Sequence, residues 1–483
     1  MSRYGKQTPT YQWCASYART QGAMARELAN AYGIPPHPWQ QSILNDWLAL
    51  DDEGKLLNTL CLLPVPRQNG KTGVCDPRET VGLVVRGESI LHTAQEYQTA
   101  KKAFDRLRAK FGDKKNDPFA QFPELNALVD RYTTSANQMV LDLKNGAHIE
   151  FRTRGNSSDM GRGGTFDLVV IDEAQAYTEE QEAALGALNS AAPHGSPQTI
   201  MMGTVPLPGK GEVFANARAV MHEEPEPGMC IHEWGAAEIG DVRDVARWYE
   251  FNPSLGFQLL ESGLLKDCCT MAPDTFAREH LGWWSPTTGS ANPISKARWN
   301  ACETQKPPTE GLVCYGVKFA PDGSTCALSV CIKPADGKPH VECVDVRNLS
   351  SGIGWLVEWL GARFDKGAQV VIDGQSNAQS LVSRLNDLHA PNGFVFVAST
   401  RTVIAAASTF ADAIKERNVT HFGQLSLTES ATKSKKRKIG SDGGWSFGST
   451  SAADSTLVES CALAYWSANN AKRRPGRKQR VGF

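Results

Sequence analysis

The sequence predicts an α/β protein built from two sheet-centred domains with a short linker subdomain between them. Three observations carry that prediction. Short apolar runs alternate with helical periodicity over residues 58–206, which points to a mainly parallel sheet covered on both faces. Strands return after residue 311 as a meander of three. Between these regions proline, glycine and tryptophan become frequent and only short helical pieces remain. The 483-residue length agrees, because at ~100–200 residues per domain it exceeds one core.

Apolar residues make up 41% and charged residues 21%, which excludes a disordered, collagen-like or coiled-coil chain. The 51 basic and 52 acidic side chains nearly cancel, so any contact with a polyanion must come from a local patch. No run reaches the ~18–20 apolar residues of a spanning helix, and the polar start of the chain lacks the apolar stretch of a signal peptide. A protein without membrane contact is expected. The twelve cysteines sit mostly singly inside apolar runs with no Cys-x-x-Cys pair, and they read as buried free thiols in a reducing cytosol. Zinc is not expected.

In the first domain (1–206), Thr59–Val65, Ser89–Ala94, His148–Arg152, Asp167–Ile171 and Thr199–Gly203 read as strands. Gln95–Phe111 reads as a helix because Phe104, Leu107 and Phe111 recur at helical spacing. The linker subdomain (207–309) carries Trp234, Trp248, Trp283, Trp284 and Trp299, with helical pieces such as Asp241–Glu250. In the third region (310–470), Leu312–Phe319, Thr325–Ile332 and His340–Arg347 are strands joined by Pro-Asp-Gly (321–323) and Ala-Asp-Gly (335–337) turns. A helix with Trp355, Leu356, Trp359 and Leu360 follows, then the strand Gln369–Asp373. Further helical segments, a Gly/Lys-rich hairpin and a last helix, Ala453–Ser467, complete it. Three meandering strands, a helix and a fourth strand ending in aspartate match the strand order of an RNase H-like fold. Residues 471–483 form a basic tail.

The run Leu63-Pro-Val-Pro-Arg-Gln-Asn-Gly-Lys-Thr72 leaves a strand and enters a predicted helix, the setting of a phosphate-binding P-loop. The backbone N–H groups of Arg67, Gln68, Asn69 and Gly70 and the helix N-terminus would cradle phosphate oxygens. Lys71 would reach the β- and γ-phosphates, and the Thr72 hydroxyl would hold Mg²⁺. Val65 stands where the consensus has its first glycine. A second segment, Asp167-Leu-Val-Val-Ile-Asp-Glu173, delivers adjacent carboxylates at the C-terminal end of a strand, where open α/β sheets bind ligands. Asp172 would support Mg²⁺, and Glu173 would orient or deprotonate an attacking water. Together the two segments predict an ATP site on a RecA/ASCE-like sheet. Gln40, in Pro38-Trp-Gln-Gln41, suits either an adenine edge or a packed helix start. Thr204, after Gly203, suits either a γ-phosphate sensor or a plain strand end.

These segments resemble the large terminase subunit of tailed bacteriophages. The marks are Arg67 with Gly-Lys-Thr at 70–72, Asp-Glu-Ala-Gln at 172–175, Met-Gly-Thr-Val-Pro at 202–206 and Asn-Pro-Ser-Leu-Gly at 252–256. Phe276-Ala-Arg-Glu279 and Trp283-Trp284 follow, then Tyr315-Gly-Val-Lys-Phe-Ala-Pro-Asp-Gly323, Val371-Ile-Asp-Gly374 and Gly443-Gly-Trp-Ser-Phe447. The resemblance runs in order from Pro38 to Trp466. It implies a motor that uses ATP and Mg²⁺ to thread double-stranded viral DNA through a portal into a procapsid, with an RNase H-like endonuclease that cuts concatemers. It also implies portal protein and a small terminase subunit as partners, a homo-oligomeric ring on the procapsid, and the host cytoplasm as location. An arginine completing the ATP site is implied as well, with Arg67 and Arg162 (in Gly161-Arg-Gly-Gly164) as candidates.

For the nuclease the resemblance implies carboxylates holding Mg²⁺ or Mn²⁺. Asp373 closes the fourth strand and is the first candidate. Asp454 at the last helix reads equally as an N-cap or a ligand, and the resemblance favours the ligand. The family's first-strand carboxylate is replaced here by Lys318, whose ammonium cannot ligate a cation. Asp322 in the next turn is the candidate substitute or simply the turn residue, with Asp345 a further option. The open readings are a cutter with rearranged ligands, a weak cutter, or a domain that only grips DNA. Lys433, Lys435, Lys436, Arg437 and Lys438 beside this centre suit phosphate tracking, and Lys472, Arg473, Arg474, Arg477, Lys478 and Arg480 crowd the tail. Two other classes compete. A superfamily-2-like DNA helicase would need a second RecA-like domain where the meander stands. An assembly protein with a merely switching ATP site would not need the full Lys71, Thr72, Asp172 and Glu173 set.

Overall fold

The computed structural model describes residues 3–135, 138–154, 165–178, 181–182, 197–208, 210–285, 293–374, 377–440, 443–450 and 453–475. Arg162, Arg477, Lys478 and Arg480 lie outside these residues. The chain divides into two compact units, Met1–Gly289 and Ser290–Phe483.

In the first unit the strands are β1 (Tyr11–Cys14), the short pair β2 (Arg19–Thr20) and β3 (Ala49–Leu50), β4 (Leu60–Pro64), β5 (Ser89–Ala94), β6 (Val129–Ser135), β7 (Gln138–Leu143), β8 (His148–Thr153), β9 (Leu168–Ile171), β10 (Gln198–Gly203) and β11 (Met229–Glu233). All but β2 and β3 form one sheet in the order β1-β11-β4-β10-β9-β5-β8-β7-β6. The stretch from β11 to β8 is parallel, with antiparallel β1 on one edge and the β6–β7 hairpin on the other. A parallel sheet needs cover on both faces, and strand alternation supplies the apolar side chains. Cys61 and Leu63 of β4 join one core with Trp39, Ile43 and Trp47, while Leu62 joins the other with Ile171, Phe214 and Ile231. Leu168 and Val170 of β9 divide from Val169 and Ile171 in the same way.

The predicted strands of this region match β4, β5, β8, β9 and β10 closely at both ends. The sheet extends beyond them. β6 reads Val-Asp-Arg-Tyr-Thr-Thr-Ser, the polar alternation of an edge strand, and gives no apolar run to detect. β11 lies in the predicted linker, so that segment supplies a sheet strand as well as a cluster around Trp248, Phe251, Leu255, Phe276 and Leu281.

The helix Thr72–Val81, which follows the P-loop, is buried from Val74 onward. Its Arg78 is fully buried and donates to both carboxylate oxygens of Glu88, at 2.7 and 3.2 Å, and to Gln198 Oε1 at 2.8 Å. Gln198 in turn donates to the Trp47 and Asn58 carbonyls, tying helix, sheet and N-terminal segment together. Burial alone would raise the Glu88 pKa, but Arg78 and Arg86 outweigh it and hold the carboxyl below its ordinary value. All twelve cysteines are free thiols, though two groups are less isolated than their spacing suggests. Cys75 clusters with Glu79 and His92, and Cys14 with Asp46 and Cys230, with candidate ligand atoms within 4.8 Å of one another.

In the second unit β12 (Leu312–Phe319), β13 (Thr325–Lys333), β14 (His340–Asn348), β15 (Gly367–Asp373) and β16 (Val395–Val397) form a sheet in the order β14-β13-β12-β15-β16. The first three are antiparallel, while β15 runs parallel to β12 and β16 to β15. This is the RNase H-like strand order. β17 (Lys435–Ile439) and β18 (Gly444–Gly448) make a separate hairpin. Along β12, Tyr315, Val317 and Phe319 face one core and Cys314 faces the other, where the last helix, Thr456–Asn470, packs. Gly316 shares that helix-facing side. A Cβ on it would lie 2.0 Å from Ser460 O and 2.6 Å from Ala464 N, so glycine lets the helix seat directly on the strand. Lys318, two residues on, points to the same side. Among the described residues no helix is long and apolar enough to cross a membrane.

Candidate functional site

The P-loop connects β4 to the helix at Thr72. Gln68 and Gly70 take positive φ of 62° and 76°, which turns the backbone around the helix start. Asn69 is fully buried, and its amide donates to the carbonyls of Pro66 and Arg67 and to Asn252 Oδ1. Ser254 completes the brace, donating its N–H to Asn69 Oδ1 and its hydroxyl to Asn69 O at 2.7 Å. Gln40 is 3% exposed, donates to Gly70 O at 2.9 Å, and accepts from His37 N at 2.7 Å. Of the two readings of Gln40, these bonds fit the packed helix start. Gln40 and Asn69 hold the loop from behind, and neither lines the cleft in front of it.

That cleft, about 480 Å³, gathers Arg67, Gln68, Lys71, Asp172, Glu173 and Thr204. Thr72 sits half-buried at the head of the helix. Desolvation lowers the Lys71 pKa and Arg67 adds to the lowering, while Asp172 and Glu173 pull it back. The exposed Arg67 guanidinium lies 3.5 Å from Glu279 Oε2, and its backbone N–H donates to Glu279 O.

At the end of β9, Asp172 Oδ1 accepts the Glu173 N–H at 2.8 Å. Glu173 itself adopts φ +55°, a left-handed conformation rare for a side chain of this kind and of the sort that clusters at functional sites. Its carboxylate accepts from Gln95 N and Thr99 Oγ1, each at 3.2 Å. Thr204 N donates to Gln175 Oε1 at 3.3 Å, and a Cβ at Gly203 would lie 2.6 Å from that oxygen. Gly203-Thr204 is therefore joined to the acidic segment through Gln175.

Sequence reasoning missed Arg154, one residue past β8. It is 1% exposed and donates to the carbonyls of Thr93, Asp172 and Glu173, at 2.9, 2.6 and 3.2 Å. Burial pulls its pKa down to about 10. A buried guanidinium thus clamps the backbone that presents the two carboxylates. An arginine ending a strand inside an apolar sheet was the signal for it.

The donor set fits a magnesium nucleotide. An ammonium and the helix N-terminus suit the phosphates, while the Thr72 hydroxyl and Asp172 carboxylate suit a hard cation.

The second unit holds a different arrangement. Lys318 Nζ lies 2.5 Å from Asp373 Oδ2 and 3.5 Å from Glu459 Oε1. Glu459, on the last helix, also accepts from Arg437 at 3.2 Å, Ser446 at 2.9 Å and Ser455 at 3.2 Å. Burial raises its pKa, opposed by Lys318 and Arg437. A cleft of about 600 Å³ opens in front, lined by Lys318, Asp373, Gln379, Thr400, Arg437 and Ile439.

Asp373 lines this cleft; the other expected ligands do not. Asp322 is held in its turn by Ser324 N and Oγ, at 3.0 and 2.7 Å. Asp454 accepts from Thr456 N at 2.9 Å and Thr456 Oγ1 at 2.6 Å, serving the start of the last helix. Asp345 pairs with Arg347 at 2.8 Å. The expected set of Asp322, Asp373 and Asp454 is not assembled, because each outer carboxylate is satisfied locally. Glu459 is the residue the sequence reading missed; its setting inside an apolar helix face was the available signal. The side chains present do not fit a divalent ion, since an ammonium stands between the two carboxylates that face each other here.

Among solved structures, the crystal structure of the HK97 bacteriophage large terminase is similar at a TM-score of 0.50 and 14% sequence identity, covering 93% of this chain and 100% of that one. The chain has a large-terminase fold. A large terminase from a thermophilic bacteriophage is similar at a TM-score of 0.33 and 12% identity, over 82% of this chain and 91% of that one. The Thermus phage P74-26 large terminase ATPase domain gives 0.36 and 16%, over 53% and 96%. No protein-family model matches the sequence and no curated protein matches it. The large-terminase fold accounts for a P-loop sheet and an RNase H-like sheet in one chain.

Proposed function

We propose that this chain is an ATP-driven DNA-packaging motor. Its first unit hydrolyses Mg²⁺–ATP, and the cycle drives double-stranded viral DNA through a portal into a procapsid. The observation that carries this reading is the cleft in which Lys71 of the P-loop meets Asp172 and Glu173, at the C-terminal ends of parallel strands. Within it Lys71 neutralises charge on the β- and γ-phosphates. Glu173, held by Gln95 N–H and the Thr99 hydroxyl, orients the attacking water and takes its proton. Arg67 and Arg162 are the candidates for the completing arginine. The Gln175–Thr204 hydrogen bond gives loss of the γ-phosphate a route into β10. Portal protein, a small terminase subunit and further copies of this chain in a ring are the proposed partners, and the host cytoplasm is the proposed location.

A motor that slides on intact duplex differs from a helicase, and the antiparallel meander of the second unit favours the motor over a two-RecA helicase. The test is displacement of a triplex-forming oligonucleotide from duplex DNA, beside unwinding of a forked duplex. The motor reading predicts ATP-dependent triplex displacement without strand separation. Strand separation by the purified chain would favour the helicase.

A further inference from the structure

The family's nuclease centre and the side chains present here disagree, and the disagreement bears on what this cleft holds. A metal-assisted phosphodiester cut needs several carboxylates around cations ~3.5–4 Å apart. Here strand alternation turns Lys318 toward the last helix, and Gly316 lets that helix approach closely enough to bring Glu459 to the same point. The Lys318 and Glu459 side chains are 6% and 5% exposed, and Asp373 closes the group from β15. Arg437 of β17 reaches the same Glu459 oxygen. Two carboxylates thus face the buried Lys318 ammonium, with Arg437 reaching one of them from the rim, and little negative charge is left to draw in a divalent ion. A metal would have to sit beside an ammonium already within 2.5 Å of Asp373, where like charges repel strongly in a buried setting.

The rim is basic. Lys435, Lys436, Arg437 and Lys438 are all exposed along β17; Arg437 and Ile439 line the cleft itself, Lys435 shares their face of the strand, and Lys436 and Lys438 lie on the other face. Bare carboxylates on the floor would repel a phosphate, whereas a floor neutralised from within does not.

We propose that the Lys318 ammonium takes the place of the divalent metal, and that this cleft binds the phosphodiester backbone of duplex DNA along Arg437 and the β17 lysines without metal-assisted cutting. The proposal rests on the motor reading for its choice of DNA as partner. No bond is made or broken in this step.

The test uses the 483-residue chain without nucleotide, so that phosphates do not recruit metal to the P-loop. Mn²⁺ uptake is read by electron paramagnetic resonance, and binding to a fluorescent duplex by anisotropy. Wild type and Asp373→Asn are expected to take up equal Mn²⁺, and wild-type DNA affinity to be the same in EDTA. Lys318→Asp is expected to gain one Mn²⁺ and, in EDTA, to bind DNA about tenfold more weakly, with affinity restored by Mn²⁺. One more Mn²⁺ in wild type than in Asp373→Asn, or wild-type DNA binding that EDTA removes, would overturn the proposal without any Lys318 variant having to fold. ATP turnover of the same wild-type sample separates this outcome from failure of the motor reading. Absent turnover speaks against the motor, and metal uptake speaks against the resident ammonium.

Discussion

Glu173→Gln is expected to bind ATP as the wild type does and to lose turnover by about 10²–10⁴-fold. The amide keeps the shape of the carboxylate, and its oxygen still accepts from Gln95 N–H or the Thr99 hydroxyl, so the left-handed turn at residue 173 stays in place. What the amide cannot do is take a proton from water. Binding is read with a fluorescent nucleotide and turnover as phosphate release. Retained binding with lost turnover assigns the base to Glu173, whereas turnover near the wild-type rate places the base elsewhere in the cleft.

Arg78→Leu is expected to destabilise the first unit by about 3–5 kcal/mol, because removing one partner leaves a buried carboxylate short of its counter-charge. Glu88 is 1% exposed and would keep only Arg86, and Gln198 Oε1 would lose its donor in the middle of the sheet. The P-loop helix carries Arg78, so nucleotide binding should weaken along with stability. Urea unfolding checks the loss, and the double variant Arg78→Met/Glu88→Leu should recover part of it by removing the buried carboxylate as well, with Arg86 then keeping Gln21 as its partner. The pH dependence has a definite sign. The Glu88 carboxyl is held below its ordinary value of 4.5, so its contribution is present above that value and fades as pH falls through the lower folded pKa. An Arg78→Leu chain with an unchanged urea midpoint would show that the pair is dispensable.

The interior strands were legible because strands buried on both faces are written as largely apolar runs. β5 and β12 match their predicted bounds at both ends. Edge strands and capping segments were harder, since β6 is polar and β11 sits among prolines and tryptophans. In the nucleotide cleft, Lys71, Asp172 and Glu173 follow from local pattern, because a loop and a strand end carry the chemistry. Arg154 reaches back 61 residues to Thr93, and the Asn252–Ser254 brace reaches Asn69 across 183 to 185 residues. Local spacing does not report either.

The second unit shows the same limit from the other side. Lys318 announced that the first-strand carboxylate was gone, but Asp322 and Asp454 are short acidic side chains next to Ser324 and Thr456, which satisfy them locally. Lys318 meets Asp373 from the neighbouring strand and Glu459 from the last helix, and only the seating of that helix on Gly316 brings Glu459 there.

The central claim is that ATP is hydrolysed in the cleft at the ends of β4, β10 and β9. Its most direct test is steady-state phosphate release by the wild-type chain and by Lys71→Ala, with Mg²⁺ and duplex DNA present. Mg²⁺-dependent turnover is expected in the wild type and is lost in Lys71→Ala. Equal turnover by the two proteins would contradict it.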